Sequence, residues 1–170
     1  MNKWIISDLH LGHKSILEFE PNRLGEKVDS VEEHDDILEV RYRATVQPKD
    51  TCYFLGDVAF SAKKLESIKN WPGRKVLIRG NHDDKSEELY RHIFTKIYGV
   101  LKIDRVWFSH APIHTQELRG CPSVHGHVHS NIILDGYHRP DKRYRAVCVE
   151  QNQGWPESFD RVIEEVKSNG

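Results

Sequence analysis

Long hydrophobic runs are missing from this 170-residue chain, and with them any candidate for a membrane-crossing helix. The opening stretch MNKWIISDLH has three apolar residues in a row before Ser7 and Asp8, far short of a signal-peptide core. The expectation is a soluble, cytoplasmic protein with no membrane partner. Cysteine is scarce too: Cys52, Cys121 and Cys148 form no C-x-x-C pair and leave one over, which suits structural or incidental thiols in a reducing compartment. Neither sign of charge prevails, with 25 Lys plus Arg against 26 Asp plus Glu, so no large field advertises nucleic acid or an anionic membrane as the main partner. Recognition of an anion must be local. Repeats, linkers and low-complexity tracts are absent, and the length suits one core better than two, so residues 1–170 are expected to form a single domain. What the chain has in quantity is histidine, eleven of them.

Short apolar runs alternate with helical stretches, the pattern of an α/β domain. Trp4-Ile5-Ile6, Cys52 to Leu55, Val76-Leu77-Ile78 and Val106-Trp107-Phe108 read as strands. Between the first two, SVEEHDDILEVRYRATV opens with Ser30 and Glu33 in capping-box spacing and is predicted to be a helix ending before Pro48. Its inward candidates are Ile37, Leu38, Val40 and Tyr42, while His34, like His92 and His138, reads as a surface residue. A second helix follows Ser61 with Leu65 and Ile68 inward and stops at Pro72-Gly73, and SEELYRHIF makes a shorter one. Ile97 to Ser109 has the look of a hairpin turning at Asp104-Arg105, Ala146 to Val149 of a late strand, and ESFDRVIEEVK of a closing helix.

Each strand is followed by residues able to bind metal or move protons: SDLHLGH after Ile6, GD after Leu55, RGNHDD after Ile78, SHAP after Phe108 and HGHVH after Val124. Singly these are ordinary. Asp8-x-His10 can be an Asx turn, Gly56-Asp57 is a common turn dipeptide, and Asp83 and Asp84 can serve a helix N-terminus. His127-x-His129 puts two imidazoles on one face of a strand, which a solvated face would also show. Jointly they mean more, because open α/β sheets bind ligands beyond the carboxyl ends of their strands and would gather all five clusters on one rim. A centre for two divalent ions needs a carboxylate that can face both, with His, Asp and Asn ligands around it. Asp57 is suited to that position.

The ordered set Asp8-x-His10, Gly56-Asp57, Gly80-Asn81-His82-Asp83, His110 and Gly126-His127-x-His129 resembles the five motifs of the calcineurin-like metallophosphoesterases, in particular the small, cap-less bacterial and phage-type members that begin SDxHxGH. Asp57 is followed by Val-Ala-Phe where the protein serine/threonine phosphatases carry Arg-Gly, and Asp83 stands where they have Glu. The resemblance implies an α/β fold, a four-layer α/β/β/α sandwich with mixed sheets. It implies one ion held by Asp8, His10, Asp57 and His129, and a second held by Asp57, Asn81, His110 and His127. A nitrogen and oxygen donor set fits Mn, Fe, Zn, Ni or Co and argues against Ca; similar enzymes favour Mn.

The implied function is hydrolysis of a phosphodiester or phosphomonoester of a small molecule or nucleotide by attack of a metal-bridging hydroxide. His82 would then be the catalytic group aimed at the phosphoryl oxygens or the leaving group, with Asp83 orienting its ring. His13 and Arg23 are candidates for substrate contact, and His114 and the basic stretch His138 to Arg145 are weaker ones. Two alternatives stand beside this reading: a non-catalytic scaffold that keeps the fold to bind a protein partner, and a nuclease, which the balanced charge does not indicate.

Overall fold

The computed structural model describes residues 1–168; the last two residues of the expected 1–170 unit lie outside that description. Four parallel strands, β1 (Lys3–Ile6), β2 (Thr51–Phe54), β3 (Arg74–Ile78) and β4 (Lys96–Tyr98), form a sheet in the order β4-β3-β2-β1, closed at its other edge by antiparallel β9 (Glu157–Ser158). A second sheet runs β5 (Val100–Ile103), β6 (Val106–Ser109), β7 (Ser123–His125) and β8 (Tyr144–Ala146), antiparallel at β5–β6 and parallel thereafter. The fold is therefore α/β with two mixed sheets. The chain changes sheets at Gly99, between β4 and β5, which splits the apolar run that reads as one hairpin arm. The β5–β6 hairpin itself turns as expected on Asp104 and Arg105, both at positive φ, as a two-residue turn matching the strand twist requires.

A short helix α1 (Ile16–Phe19) follows the loop after β1, and helices α2 (Val31–Thr45), α3 (Ala62–Ser67) and α4 (Glu87–Ile93) cover one face of the first sheet. Ser30, Ser61 and Ser86 cap them, accepting from the amides of Glu33 (3.1 Å), Lys64 (3.2 Å) and Leu89 (3.3 Å). Leu38, Tyr42, Leu65 and Ile68 pack with Ile6, Phe54 and Leu77 in one core. The sheet's other face places Ile5, Leu55 and Ile78 in a second core with Val106, Phe108 and Val124 of the second sheet. Phe159, Val162 and Val166 of the closing helix α6 (Phe159–Ser168) complete it. Among the described residues no helix is long and apolar enough to cross a membrane.

Three local expectations are corrected. Val40 is exposed, because the inward stripe of α2 runs through His34, Asp35, Leu38 and Tyr42. His34 is buried, with Nδ1 2.9 Å from Asp35 Oδ1. Asp35 also accepts from the Gly12 amide (3.0 Å) and pairs with Lys64 Nζ (2.7 Å), so polar side chains tie α2 and α3 to the loop after β1. The late strand, β8, begins two residues and ends three residues earlier than predicted, since Val149 already opens the short helix α5 (Val149–Asn152).

Candidate metal centre

The loops that leave β1 and β2 remain laced together after the strands end. Asp8 and His10 donate their amides to the carbonyls of Gly56 (3.1 Å) and Asp57 (3.0 Å). The second sheet is joined to this rim through Asp8 Oδ2, which accepts from the His127 amide at 2.9 Å, and through His110, whose Nδ1 lies 2.7 Å from the Leu55 carbonyl. Residues far apart in the chain thereby meet in two groups, Asp8 with His10 and His129, and Asp57 with His110 and His127. Within each group the donor atoms lie within 4.8 Å of one another. One oxygen faces both groups: Asp57 Oδ2 is 3.6 Å from His10 Nε2 and 3.3 Å from His110 Nε2. Asn81 Oδ1 lies 2.9 Å from His110 Nε2, so all seven proposed ligands come together.

The chain conformation at these residues is costly. Asp8, His10, Asp57, His127 and His129 all have φ between 51° and 73°, a region that disfavours residues with a Cβ. Glycines make the close approach possible: a Cβ on Gly126 would collide with Ser7 Oγ and Asp8 Oδ2, and one on Gly56 would sit 2.6 Å from Gly80.

Asp8, His10, Asp57 and His110 are buried, whereas Asn81 and His127 are exposed. Burial pushes the carboxyls of Asp8 and Asp57 up, but the surrounding polar groups, the His10 and His110 imidazoles and the His127 amide at Asp8 and the His110 imidazole and His82 amide at Asp57, together outweigh it, and both remain below the usual carboxylate range. Burial pushes the imidazole of His10 down; at His110 burial also lowers it, but the carboxylates of Asp57 and Asp8 and the Leu55 carbonyl together overcome that and raise it. Asp8 Oδ1 and His10 Nε2 are both buried without a hydrogen-bond partner. Unpartnered lone pairs in such a place are what a cation would satisfy, so the residues fit divalent ions well.

The histidines of the centre have further partners. His110 Nδ1 is 2.7 Å from the Leu55 carbonyl, His10 Nδ1 is 3.3 Å from His13 Nδ1, and His129 Nδ1 is 2.9 Å from Glu150 Oε1. Contacts of this kind fix which nitrogen faces a metal. Glu150, in the first turn of α5, has no signal in the sequence.

His82 is exposed at the rim, its amide donating to Asp57 Oδ1 at 2.9 Å and its ring 5.8 Å from that of His10. Asp83 does not orient that ring. Its carboxylate turns inward, accepting from the amides of Asp57 (3.0 Å), Val58 (3.0 Å) and Gly80 (2.8 Å), and so it fixes the two loops instead. Arg23 is likewise corrected. Its side chain is wholly buried and paired with Glu150 at 3.0 Å, out of a substrate's reach from solvent. His127 and His129 are not on a strand face, since β7 ends at His125.

His13 is half-buried and stacks on Phe60 at 3.9 Å, with Phe19, mostly exposed, 6.1 Å beyond it and His82 4.9 Å from Phe60. An aromatic strip thus runs from solvent to the ring of His10. On the other side an open groove is lined by Arg79, Val100, Pro112, Ile113 and His114 together with Asn81, His110 and His127. Of the basic stretch, Arg139 is paired with Asp135 (2.9 Å) and Arg143 with Asp141 (2.6 Å).

A sequence profile of the family described as calcineurin-like phosphoesterase matches residues 1–163. The gene 66 protein of Mycobacterium phage L5 is 33% identical in an alignment covering 78% of this chain and 80% of that protein. An uncharacterised protein of Methanocaldococcus jannaschii is 32% identical, covering 94% of this chain and 88% of its own length. The crystal structure of a protein of unknown function from Aquifex aeolicus superposes with a TM-score of 0.72 at 25% identity, over 96% of this chain and 98% of that one. Members of the matched family are hydrolytic phosphoesterases that typically bind divalent metals. Since the match spans all five clusters of the rim, the chain belongs to the calcineurin-like phosphoesterase family.

Proposed function

We propose that this protein is a dinuclear metal-dependent phosphoesterase, hydrolysing phosphodiester or phosphomonoester bonds of small molecules or nucleotides. The observation that carries the reading is Asp57 Oδ2 lying within 3.6 Å of His10 Nε2 and 3.3 Å of His110 Nε2, one carboxylate oxygen facing both ligand groups. Asp8, His10, Asp57 and His129 would hold one ion and Asp57, Asn81, His110 and His127 the other. Bound divalent ions supply Lewis acidity that lowers the pKa of a water and polarises a phosphate ester. The donor set is imidazole, carboxylate and amide without thiolate, which fits Mn²⁺, Fe, Zn, Ni or Co; the preference for Mn²⁺ comes from the resemblance to similar enzymes and not from the donor set.

His82 is the group of this chain offered to the substrate. From the rim its imidazole can donate to a phosphoryl oxygen or deliver a proton to the leaving oxygen, and the hydrogen bond its backbone amide donates to Asp57 Oδ1 keeps it beside the centre. The strip Phe19, His13 and Phe60 offers apolar contact to an organic substituent, which favours aryl and nucleoside esters over inorganic polyphosphate. A non-catalytic scaffold would have no need of all seven ligands together with His82, and every one of the eight is present.

Protein stripped by prolonged chelation is expected to be inactive and to regain turnover with Mn²⁺. It would be assayed on p-nitrophenyl phosphate, bis-p-nitrophenyl phosphate and the 2′,3′- and 3′,5′-cyclic nucleotides. Undiminished turnover by demonstrably metal-free protein would overturn the reading, and inactivity on all substrates with both ions bound would favour the scaffold.

A further inference from the structure

We propose that Arg23 and Glu150 are positioning residues of the metal centre, a buried ion pair that sets two ligand residues, Asp8 and His129, at once. The inference rests on the reading above, in which those two residues hold an ion. Glu150 Oε1 is shared between His129 Nδ1 at 2.9 Å and Arg23 Nη2 at 3.0 Å. The same Nη2 donates to the backbone carbonyl of Asp8. One guanidinium nitrogen and one carboxylate oxygen thus join residues 121 positions apart in the chain.

Burial decides how much this matters. The side chains of Arg23 and Glu150 are 0% and 3% exposed, so solvent does not screen their interaction. A buried ion pair is weak as a stabilising device, since the cost of desolvating both charges rivals their attraction. This one is also incompletely satisfied: Arg23 Nε, Arg23 Nη1 and Glu150 Oε2 have no hydrogen-bond partner. An arrangement so poor for stability is explained by what its satisfied atoms hold. The carbonyl gripped by Arg23 belongs to Asp8, at φ 60°, and the ring gripped by Glu150 belongs to His129, at φ 54°, both in a conformation that needs outside support. With its Nδ1 proton donated to Glu150, His129 presents the lone pair of Nε2, the state a cation requires.

The effect is confined to one of the two groups. His110, in the other, is oriented by the neutral carbonyl of Leu55 at 2.7 Å. Removing the pair should therefore weaken one ion and spare its neighbour.

The test compares wild type with E150Q and with the double variant R23M/E150Q. The double variant is included because E150Q alone leaves a buried guanidinium without its counter-ion. Calorimetric titration of metal-free protein with Mn²⁺ is expected to give wild-type affinity for one ion and roughly 10–100-fold weaker affinity for the other in the double variant. A second readout needs no metal. In long-range ¹H–¹⁵N spectra at pH 8, His129 of the wild type is expected as the Nδ1–H tautomer, the minority form of a free imidazole, and as a mixture once Glu150 is replaced. Unchanged affinity for both ions in the double variant, or an Nε2–H tautomer in the wild type, overturns the proposal. A wild type that takes up no metal would instead refute the parent reading, and the tautomer would still decide this one.

Discussion

His82 and Asp83 are neighbours in the chain with opposite surroundings, one at the solvent-facing rim and the other turned into the protein. If His82 acts on the substrate and not on an ion, His82→Ala should retain both ions by elemental analysis. It should lose about 10²–10⁴ in rate on esters with poor leaving groups, the usual range for a positioned acid or base. Nitrophenyl esters should suffer less, because nitrophenolate departs without a proton. Loss of an ion in the variant would return His82 to the ligand set, and equal losses on alkyl and aryl esters would leave it a phosphoryl contact only. The seven candidate ligands could be named from the sequence because their types and order resemble the motifs of a known family, and the fold brings these residues together. The direction of Asp83 was not. Adjacency to a histidine says nothing about which way a carboxylate turns, and the amides of Asp57, Val58 and Gly80 outcompete one exposed imidazole. Arg23 misleads for a similar reason: a cation in a loop reads as solvated until the carbonyl of Asp8 and the carboxylate of Glu150 are seen beside it.

Elements were legible where their causes are local. Serine caps, the stops at Pro48 and Pro72-Gly73, and the Asp104-Arg105 turn each depend on a few adjacent residues, and all stand where expected. The failures involve contacts from afar. His34 and Asp35 turn inward on α2 because the loop at Gly12 and Lys64 of α3 supply partners. His127 and His129 leave the strand pattern because β7 stops at His125 and the chain passes Asp8 so closely that Gly126 tolerates no side chain. Gly126→Ala is thus expected to displace Ser7 and Asp8 together. Thermal unfolding of metal-free protein should show a loss of about 1–3 kcal/mol, the usual cost of overpacking. Mn²⁺ titration should show weaker binding of the ion assigned to Asp8. Normal stability with normal binding would mean that the loop relaxes freely, and that the strand ends do not set the geometry of the centre.

At the scale of the molecule, two sheets converge on one rim, and much of what is unfavourable there has the same remedy. Asp8 Oδ1 and His10 Nε2 are buried without partners, and five of the candidate ligand residues have left-handed backbone conformations. Ions that bind this assembled rim and not the unfolded chain must stabilise the native state by mass action, about 2.7 kcal/mol per ion at a concentration 100 times its Kd. A domain of 150–250 residues gains roughly 2–4 °C per kcal/mol, so each bound ion should raise the unfolding midpoint by roughly 5–11 °C. Circular dichroism melts across a Mn²⁺ series, referenced to a chelated sample, would measure it. Ca²⁺ at the same concentrations should give a smaller rise, because four imidazoles among the ligands suit a cation that accepts nitrogen donors. The magnitude of the Mn²⁺ shift also bears on stoichiometry: with both sites filled it should exceed what one site can supply, and it should shrink in Asp57→Asn, where both ions lose the charge of the shared oxygen. A midpoint indifferent to Mn²⁺ would mean that the rim is satisfied without ions, and that its unpartnered atoms have another explanation.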